Sequence, residues 1–398
     1  MNLLSVIHYP VFGGPHNQAL RLSAPLAARG WKTRVLLPEE PGNAAERLRA
    51  AEIDVITMPL HRLRATPDPV VQLRFAAHFW PEVQSIRRLI REHDIDLVQI
   101  NGLVNPHGAI AARLAGIPIV WQILDTRPPM MLRRLLMPLV ARLANSLMFD
   151  GNALTAVHPG AAALSALSFV YYPPVDVSVY YPGCVDRDAV RRELGIPPTD
   201  TVVGTVANIN PQKGYEDFVR SAALIRRQLP NVTFLAVGGS HDTHKTYAAQ
   251  IRVLAEDLRL SDRIIFAGVR DDVERMFSAM DVSLITSVPR SEGTTTTAQE
   301  SMAVGTPVIA TDVGAVSEVV EHGVTGYVVA PLNPRAIAEA TVRLLQDPAL
   351  RERMGHAGRE RAVERFSVER CAQVHLRAYD HALRRRGHTG LLPDEESA

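Results

Sequence analysis

The chain has 398 residues, 46% hydrophobic and 21% charged, a globular composition too long for one ordinary core, so two domains of about 180 to 200 residues are expected. A net charge of +1 makes no case for nucleic acid; the first 182 residues carry 17 Lys/Arg against 13 Asp/Glu and the rest 26 against 29, so an anionic acceptor or lipid surface is expected to meet the amino-terminal half. Cys184 and Cys371 read as free thiols of a reducing cytosol, the opening residues lack a signal peptide's basic region, and no apolar run reaches the roughly 18 residues of a membrane span, so a cytoplasmic location is expected.

In chain order, residues 3–8 pattern as a buried strand that breaks at Phe12-Gly13-Gly14-Pro15. An amphipathic helix over 17–29 closes at Gly30 and leads to a strand at 33–37. Strands at 55–59, 97–100, 119–123, 153–157 and 169–172 are predicted, with helices at 75–92, 106–115 and 131–147, the last limited by Pro138. Pro173-Pro174, Pro182 and Gly183 punctuate a connection, and the rhythm restarts with strands at 202–206, 232–237, 264–267, 281–285, 308–310 and 326–329. Helices are predicted at 215–228, 244–258, 272–280, 316–321, 334–346 and 368–385, and the tail from Gly387 is expected to be disordered. Strand and helix taking turns imply two doubly wound, Rossmann-like α/β domains with parallel sheets.

The chemistry is densest after strand 281–285, at Ser291-Glu292-Gly293-Thr294-Thr295-Thr296-Thr297-Ala298-Gln299-Glu300. A strand-to-helix turn presents unpaired N–H groups and a positive dipole end to an anion. Two carboxylates eight residues apart suit a grip on hydroxyls, and a sugar nucleotide has both phosphates and hydroxyls. Asn208-Ile209-Asn210-Pro211-Gln212-Lys213-Gly214 also joins a strand to a helix, where a lysine reaches a diphosphate and stabilises it as a leaving group.

Gly13 and Gly14 allow close backbone approach, and His16 beside them could touch either substrate. Asn101, Gly102, Asn105 and His107 follow one strand and Asp125 another, at the edge where an acceptor is expected; Asp125 orients an acceptor hydroxyl or caps a helix. Asp94-Ile95-Asp96 lies at the amino end of its strand, the wrong end for a ligand, and His241-x-x-His244 is half a site, so no metal is expected. The apolar stretch 130–142, with three arginines, reads as a core-packing helix or one resting on an anionic membrane.

The Glu-x7-Glu spacing, followed by Met302-Ala303-Val304-Gly305-Thr306-Pro307-Val308-Ile309-Ala310, resembles the donor-site signature of retaining glycosyltransferases of family 4, which have the GT-B fold. Four threonines stand where that family has Phe-Gly-Leu-Pro. Lys213 and Gly214 match the family's Gly-Arg-Leu-x-x-x-Lys-Gly, but Ala207 and Asn208 replace its Gly-Arg, so either another residue, Arg290 or Arg270, supplies the second phosphate cation or the donor is held differently. Leu124-Asp125 stands for the family's His-Asp.

The resemblance implies an acceptor domain at 1–180, a sugar-nucleotide domain at 184–365, a helix at 366–386 returning to the first domain and a tail at 387–398. It implies transfer, with retention, from a nucleoside-diphosphate sugar to a hydroxyl of a polysaccharide or glycolipid precursor or a secondary metabolite, with no metal or cofactor. Lys213, Glu292 and Asp125 are the catalytic candidates. The donor is expected to meet Gly13, Gly14, Asn208 and Lys213, then Gly268, Val269 and Arg270 at the base, Glu292 with Gly293, Thr294, Thr295 and Thr296 at the sugar, and Glu300 at the ribose; the acceptor is expected to meet His16, Asn101, His107 and Asp125. A sugar-nucleotide epimerase, a phosphorylase and a non-catalytic sugar-nucleotide binder share the architecture.

Overall fold

The structure, a computed structural model, describes residues 1–62, 68–124, 128–240, 244–385 and 387. These divide into two units, Met1–Pro174 with the segment from Val368 onward, and Val175–Ser367. Asp125, His241 and the tail beyond Gly387 lie outside the described residues.

Unit 1 runs β1 (Asn2–Ile7), α1 (Gly14–Ala27), β2 (Lys32–Pro38), α2 (Ala44–Ala50), β3 (Asp54–Met58), α3 (Pro69–Glu92), β4 (Leu97–Asn101), α4 (His107–Ala115), β5 (Ile119–Ile123), α5 (Met130–Leu143), β6 (Ser146–Asp150), α6 (Asn152–Val157) and β7 (Ser168–Tyr171). Its strands pair in parallel in the order β3-β2-β1-β4-β5-β6-β7. The strands are apolar without alternation because both faces are covered. Residues of α3, α4 and α5 pack with one face, as Val83, Ile86, Ala109, Ala112, Leu136 and Val140 join Leu4, Val98 and Trp121 in one core.

The other face is closed by α1 and by α15 (Val368–Arg384), whose buried Val368, Cys371, Ala372, His375, Leu376, Tyr379, Ala382 and Leu383 fall on one helical stripe. The stripe also carries a buried polar clamp. His375 Nδ1–H donates to Cys371 O at 2.8 Å, so Nε2 accepts from Gln18 Nε2 at 2.8 Å and Gln122 Nε2 at 2.9 Å, and Tyr379 donates to Gln99 Oε1 at 2.6 Å.

Unit 2 runs α7 (Arg187–Glu193), β8 (Thr201–Val206), α8 (Tyr215–Arg226), β9 (Val232–Val237), α9 (Lys245–Asp257), β10 (Ile264–Gly268), α10 (Val273–Ala279), β11 (Val282–Ile285), α11 (Thr296–Ala303), β12 (Val308–Thr311), α12 (Val316–Val319), β13 (Gly326–Val329), α13 (Pro334–Gln346) and α14 (Pro348–Phe366). Its six parallel strands are ordered β10-β9-β8-β11-β12-β13. Strand order therefore reverses between β1 and β4 in unit 1 and between β8 and β11 in unit 2, and ligands of doubly wound sheets lie outside the strands' carboxyl ends at such points.

Three readings of the sequence are corrected. The helix expected at 131–147 ends at Leu143 despite containing Pro138, and β6 follows, its five residues buried between β5 and β7. The strand expected at 153–157 is α6, a run too short for periodicity to separate helix from strand. Helix α14, like the short α2 and α7, has no counterpart in the sequence reading. Gly355 and Gly358 lower its helix propensity, but they are where it nests: a β-carbon on Gly355 would stand 2.2 Å from Gly305 O, and one on Gly358 3.4 Å from Met302. Arg359 then fixes α14 through the carbonyls of Val177, Tyr180 and Ala303.

The two glycines are expected to respond with opposite signs in thermal unfolding. Gly355→Ala loses about 1–3 kcal/mol by overpacking against backbone, and Gly358→Ala gains up to about 1 kcal/mol of helix propensity; equal responses would show that α14 packs otherwise. Burial lowers the pKa of His375 from 6.5 to about 4. The unfolded chain thus takes up this proton before the folded one, so the stabilisation is complete above pH 6.5 and is lost as the pH falls toward 4, on the order of 2 kcal/mol by about pH 5. His375→Gln is expected to be less stable at neutral pH yet to lose less on acidification, and a slope equal to that of the unsubstituted protein contradicts the clamp.

Candidate active site

The loops flanking the reversal in unit 2 join β8 to α8 and β11 to α11. The first ends in a tight turn, with Asn210 Oδ1 accepting from Gln212 N at 2.9 Å, and passes through Gly214 at φ +62°. Glycine is required there twice over, because a β-carbon would also stand 1.9 Å from Thr286 O of the second loop. That closeness lets the loops bond directly: Val288 N donates to Gln212 O at 3.0 Å and Thr286 Oγ1 to Lys213 O at 2.8 Å.

The backbone staple sets Lys213 Nζ 2.5 Å from Glu292 Oε1, which also accepts from Ser287 Oγ at 2.6 Å. Glu292 is buried, while the Lys213 side chain is 26% exposed and can still meet a ligand. From below, Thr311 Oγ1 holds Ser287 O at 2.6 Å and Ala315 N holds Gly293 O at 2.7 Å. Gly314, at φ +58°, lets that third loop come up, since a β-carbon there would stand 2.5 Å from Glu292 O.

Helix α11 starts beside this pair without a side-chain cap: Thr295 is in the cap position but its hydroxyl is 2.8 Å from that of Thr297. Its first-turn N–H groups keep the anion preference of a helix start. Thr294, Thr295 and Glu300 are buried, Thr296 partly so, and Gln299 is wholly buried with no partner for its amide among the described residues. Asn208 is exposed.

Gly268, at φ +70°, ends β10 two strands from the reversal, and Val269 is exposed. Arg270, a candidate for the second phosphate cation, is held by carboxylates. Its Nε and Nη2 donate to the two oxygens of Asp272, each at 2.7 Å, and Nη2 also to Glu193 Oε1 at 3.0 Å; these hydrogen bonds raise its pKa further.

In unit 1, Gly13 is extended, at φ −161°, and Gly14 opens α1. The nearest neighbour of a β-carbon on Gly13 would be 4.0 Å away, and one on Gly14 would have none within 4 Å. No packing against residues beyond the chain neighbours calls for glycine at either position, though Gly14 is helical before Pro15, where a β-carbon would crowd the proline ring. His16 corrects the expectation of a substrate contact: it is buried, Nε2–H donates to Tyr9 O at 2.9 Å and Nδ1 accepts from Gly13 N at 3.1 Å. Burial lowers its pKa to about 4, so the ring is a neutral brace for residues 9–13. Phe12 stacks on it, capped by Arg47 and tied through its N–H to Asn43 Oδ1.

Asn101 also turns inward, its Nδ2 donating to Ser5 Oγ at 2.9 Å and Val6 O at 3.1 Å and so joining β1 to β4. His107 is wholly buried against Phe75, Phe79 and His8, and burial lowers its pKa to about 4. Its Nε2 is 3.4 Å from Glu82 Oε2 but off the hydrogen-bond line, so neither of its nitrogens has a hydrogen-bond partner among the described residues, and the same holds for His8. Sequence reasoning passed over His8 and Glu82; a lone histidine ending an apolar strand carries no motif. Asp96, of the Asp94-Ile95-Asp96 motif, accepts from Asn2 N at 2.7 Å at the amino end of β4. Among the described residues no group of three or more His, Cys, Asp or Glu is placed to hold a metal ion, and no helix is long and apolar enough to cross a membrane.

Known proteins share the family and the fold of this chain. A family model for "Glycosyl transferases group 1" matches residues 186–361, and one for "Glycosyl transferase 4-like domain" matches residues 13–183. N-acetyl-alpha-D-glucosaminyl L-malate synthase of Bacillus anthracis is 29% identical over 213 residues, covering 54% of this chain and 53% of that protein, so the chain spans about half the length of that relative. The 2-deoxystreptamine glucosyltransferase of Streptomyces kanamyceticus is 28% identical over 393 residues, 92% of this chain and 98% of that protein. Among solved structures, Anabaena Alr3699/HepE in complex with UDP shares the fold at a TM-score of 0.80 and 24% identity, covering 94% of this chain and 98% of that one. With a glycosyltransferase model matched to each unit, the chain belongs to the glycosyltransferases of group 1 and has the GT-B fold.

Proposed function

We propose that the chain moves a glycosyl group from a nucleoside-diphosphate sugar to a hydroxyl acceptor with retention of configuration. The observation that carries the reading is the Lys213–Glu292 pair at the sheet reversal of unit 2, beside the uncapped start of α11. Lys213 is assigned to the diphosphate, Glu292 and the 293–297 backbone to the sugar, and Glu300 to the ribose. In the step, the bond from the anomeric carbon to the phosphate oxygen breaks, the acceptor oxygen bonds to that carbon from the same side, and its proton passes to the departing phosphate.

Such a step asks the protein for alignment and charge stabilisation rather than a nucleophile. Glu292 suits that division of labour as an orienting group, because its Oε1 is fixed by Lys213 and Ser287. Lys213 retains N–H donors beyond the one given to Glu292, and the leaving group needs one of them. Gly13 and Gly14 are assigned to close contact with a ligand. Glucosyl transfer to 2-deoxystreptamine, the activity named for the relative matched along 98% of its length, and UDP-glucose, held by HepE, supply the first acceptor and donor to try.

Lys213→Ala and Glu292→Ala, folded by thermal unfolding, are each expected to lower turnover roughly 100-fold or more on whichever donor and acceptor prove active; near-normal turnover refutes the roles. Gly13→Ala is expected to cost at most about 1 kcal/mol in thermal unfolding, the preference for glycine over alanine at an N-cap, and to weaken nucleotide-sugar binding, since the new methyl stands 4.0 Å from its nearest neighbour beyond the adjoining residues. Undiminished binding would show that the position faces no ligand.

A further inference from the structure

The cations of the proposed donor site are matched by carboxylates before a donor arrives, and Glu300 adds a further acid. Glu292 Oε1 matches Lys213 at 2.5 Å, and Arg270 is held by Asp272 and Glu193. A nucleoside diphosphate brings about two to three negative charges, so the site as described leaves most of that charge unmet.

The β11-to-α11 loop turns at Pro289–Arg290, with Ser291 Oγ donating back to Val288 O at 2.5 Å. Arg290 has φ +64°. After a proline, a positive φ marks the turn position where glycine is favoured, and a side chain there costs about 1–2 kcal/mol. A strained non-glycine residue of this kind is an observation from which function can be inferred. The Arg290 side chain is exposed and makes no ion pair or hydrogen bond with the described residues.

Its position is set from both sides. Two residues before it, Val288 N is bonded to Gln212 O; two residues after it, Glu292 is paired with Lys213. Two residues of chain span at most about 7 Å, so the Arg290 backbone cannot stand far from the Lys213 turn. A guanidinium on that tether matches phosphate oxygens with two parallel N–H donors.

We infer that Arg290 is the second cation of the donor site, binding the diphosphate of the nucleotide alongside Lys213. The inference rests on the donor-site reading above and adds a residue to it. It also accounts for a family arginine replaced by Asn208, by moving the charge to the facing loop.

The test exploits the strained backbone. Arg290→Gly suits φ +64°, so its unfolding temperature is expected to equal or exceed that of the parent protein. UDP, GDP and ADP are titrated by calorimetry, and the tightest is compared with its own nucleoside. Arg290→Gly is expected to bind the diphosphate at least 10-fold more weakly with the nucleoside unchanged, and Arg290→Lys to fall between. Diphosphate affinity equal to the parent's, or a loss shared equally by the nucleoside, overturns the role of Arg290. If the parent protein binds no diphosphate better than its nucleoside, the donor-site reading fails and the inference with it.

Discussion

The site depends on one close approach of backbone to backbone. Gly214 admits Thr286 O to within a distance that any β-carbon would occupy, and the bonds from Val288 and Thr286 to the 212–213 carbonyls follow from it. Lys213 and Glu292 are 79 residues apart in sequence, and this staple is what makes them neighbours. Holding a lysine against a buried carboxylate preorganises its charge, the property most useful to the proposed role of stabilising a departing diphosphate. Gly314 repeats the device one loop away, so the Glu292 turn is gripped between two backbones.

Much of this was legible in the chain. The alternation of apolar runs and amphipathic helices gave the doubly wound class, because strands buried on both faces and helices buried on one leave different periodicities. Lys213 and Glu292 stood out because each falls in a strand-to-helix loop, and parallel topology sends such loops to one edge of the sheet. The pairing was not legible: it depends on which two loops flank the reversal, a property of strand order that no local pattern encodes.

The misreadings have physical causes. Helix α14 hid behind Gly355 and Gly358, which weaken local propensity while permitting tertiary contact. Asn101 ends β4, and His16 and His107 lie in the first turns of the helices after β1 and β4, but their side chains turn inward, since such a residue braces the backbone or packs in the core as readily as it meets a substrate. Arg270 reads as a candidate phosphate cation from the sequence because its partners Asp272 and Glu193 are respectively too near and too far along the chain to register.

The central claim is that the two stapled loops of unit 2 receive the diphosphate. Amide hydrogen exchange, measured with and without the tightest-binding nucleoside diphosphate, tests it without altering the protein. Slowed exchange in unit 2 centred on 207–214 and 286–300, with 268–270 responding where the base is expected, is the predicted result. Unchanged exchange in those segments under saturating nucleotide, with protection elsewhere in the unit, would contradict the account.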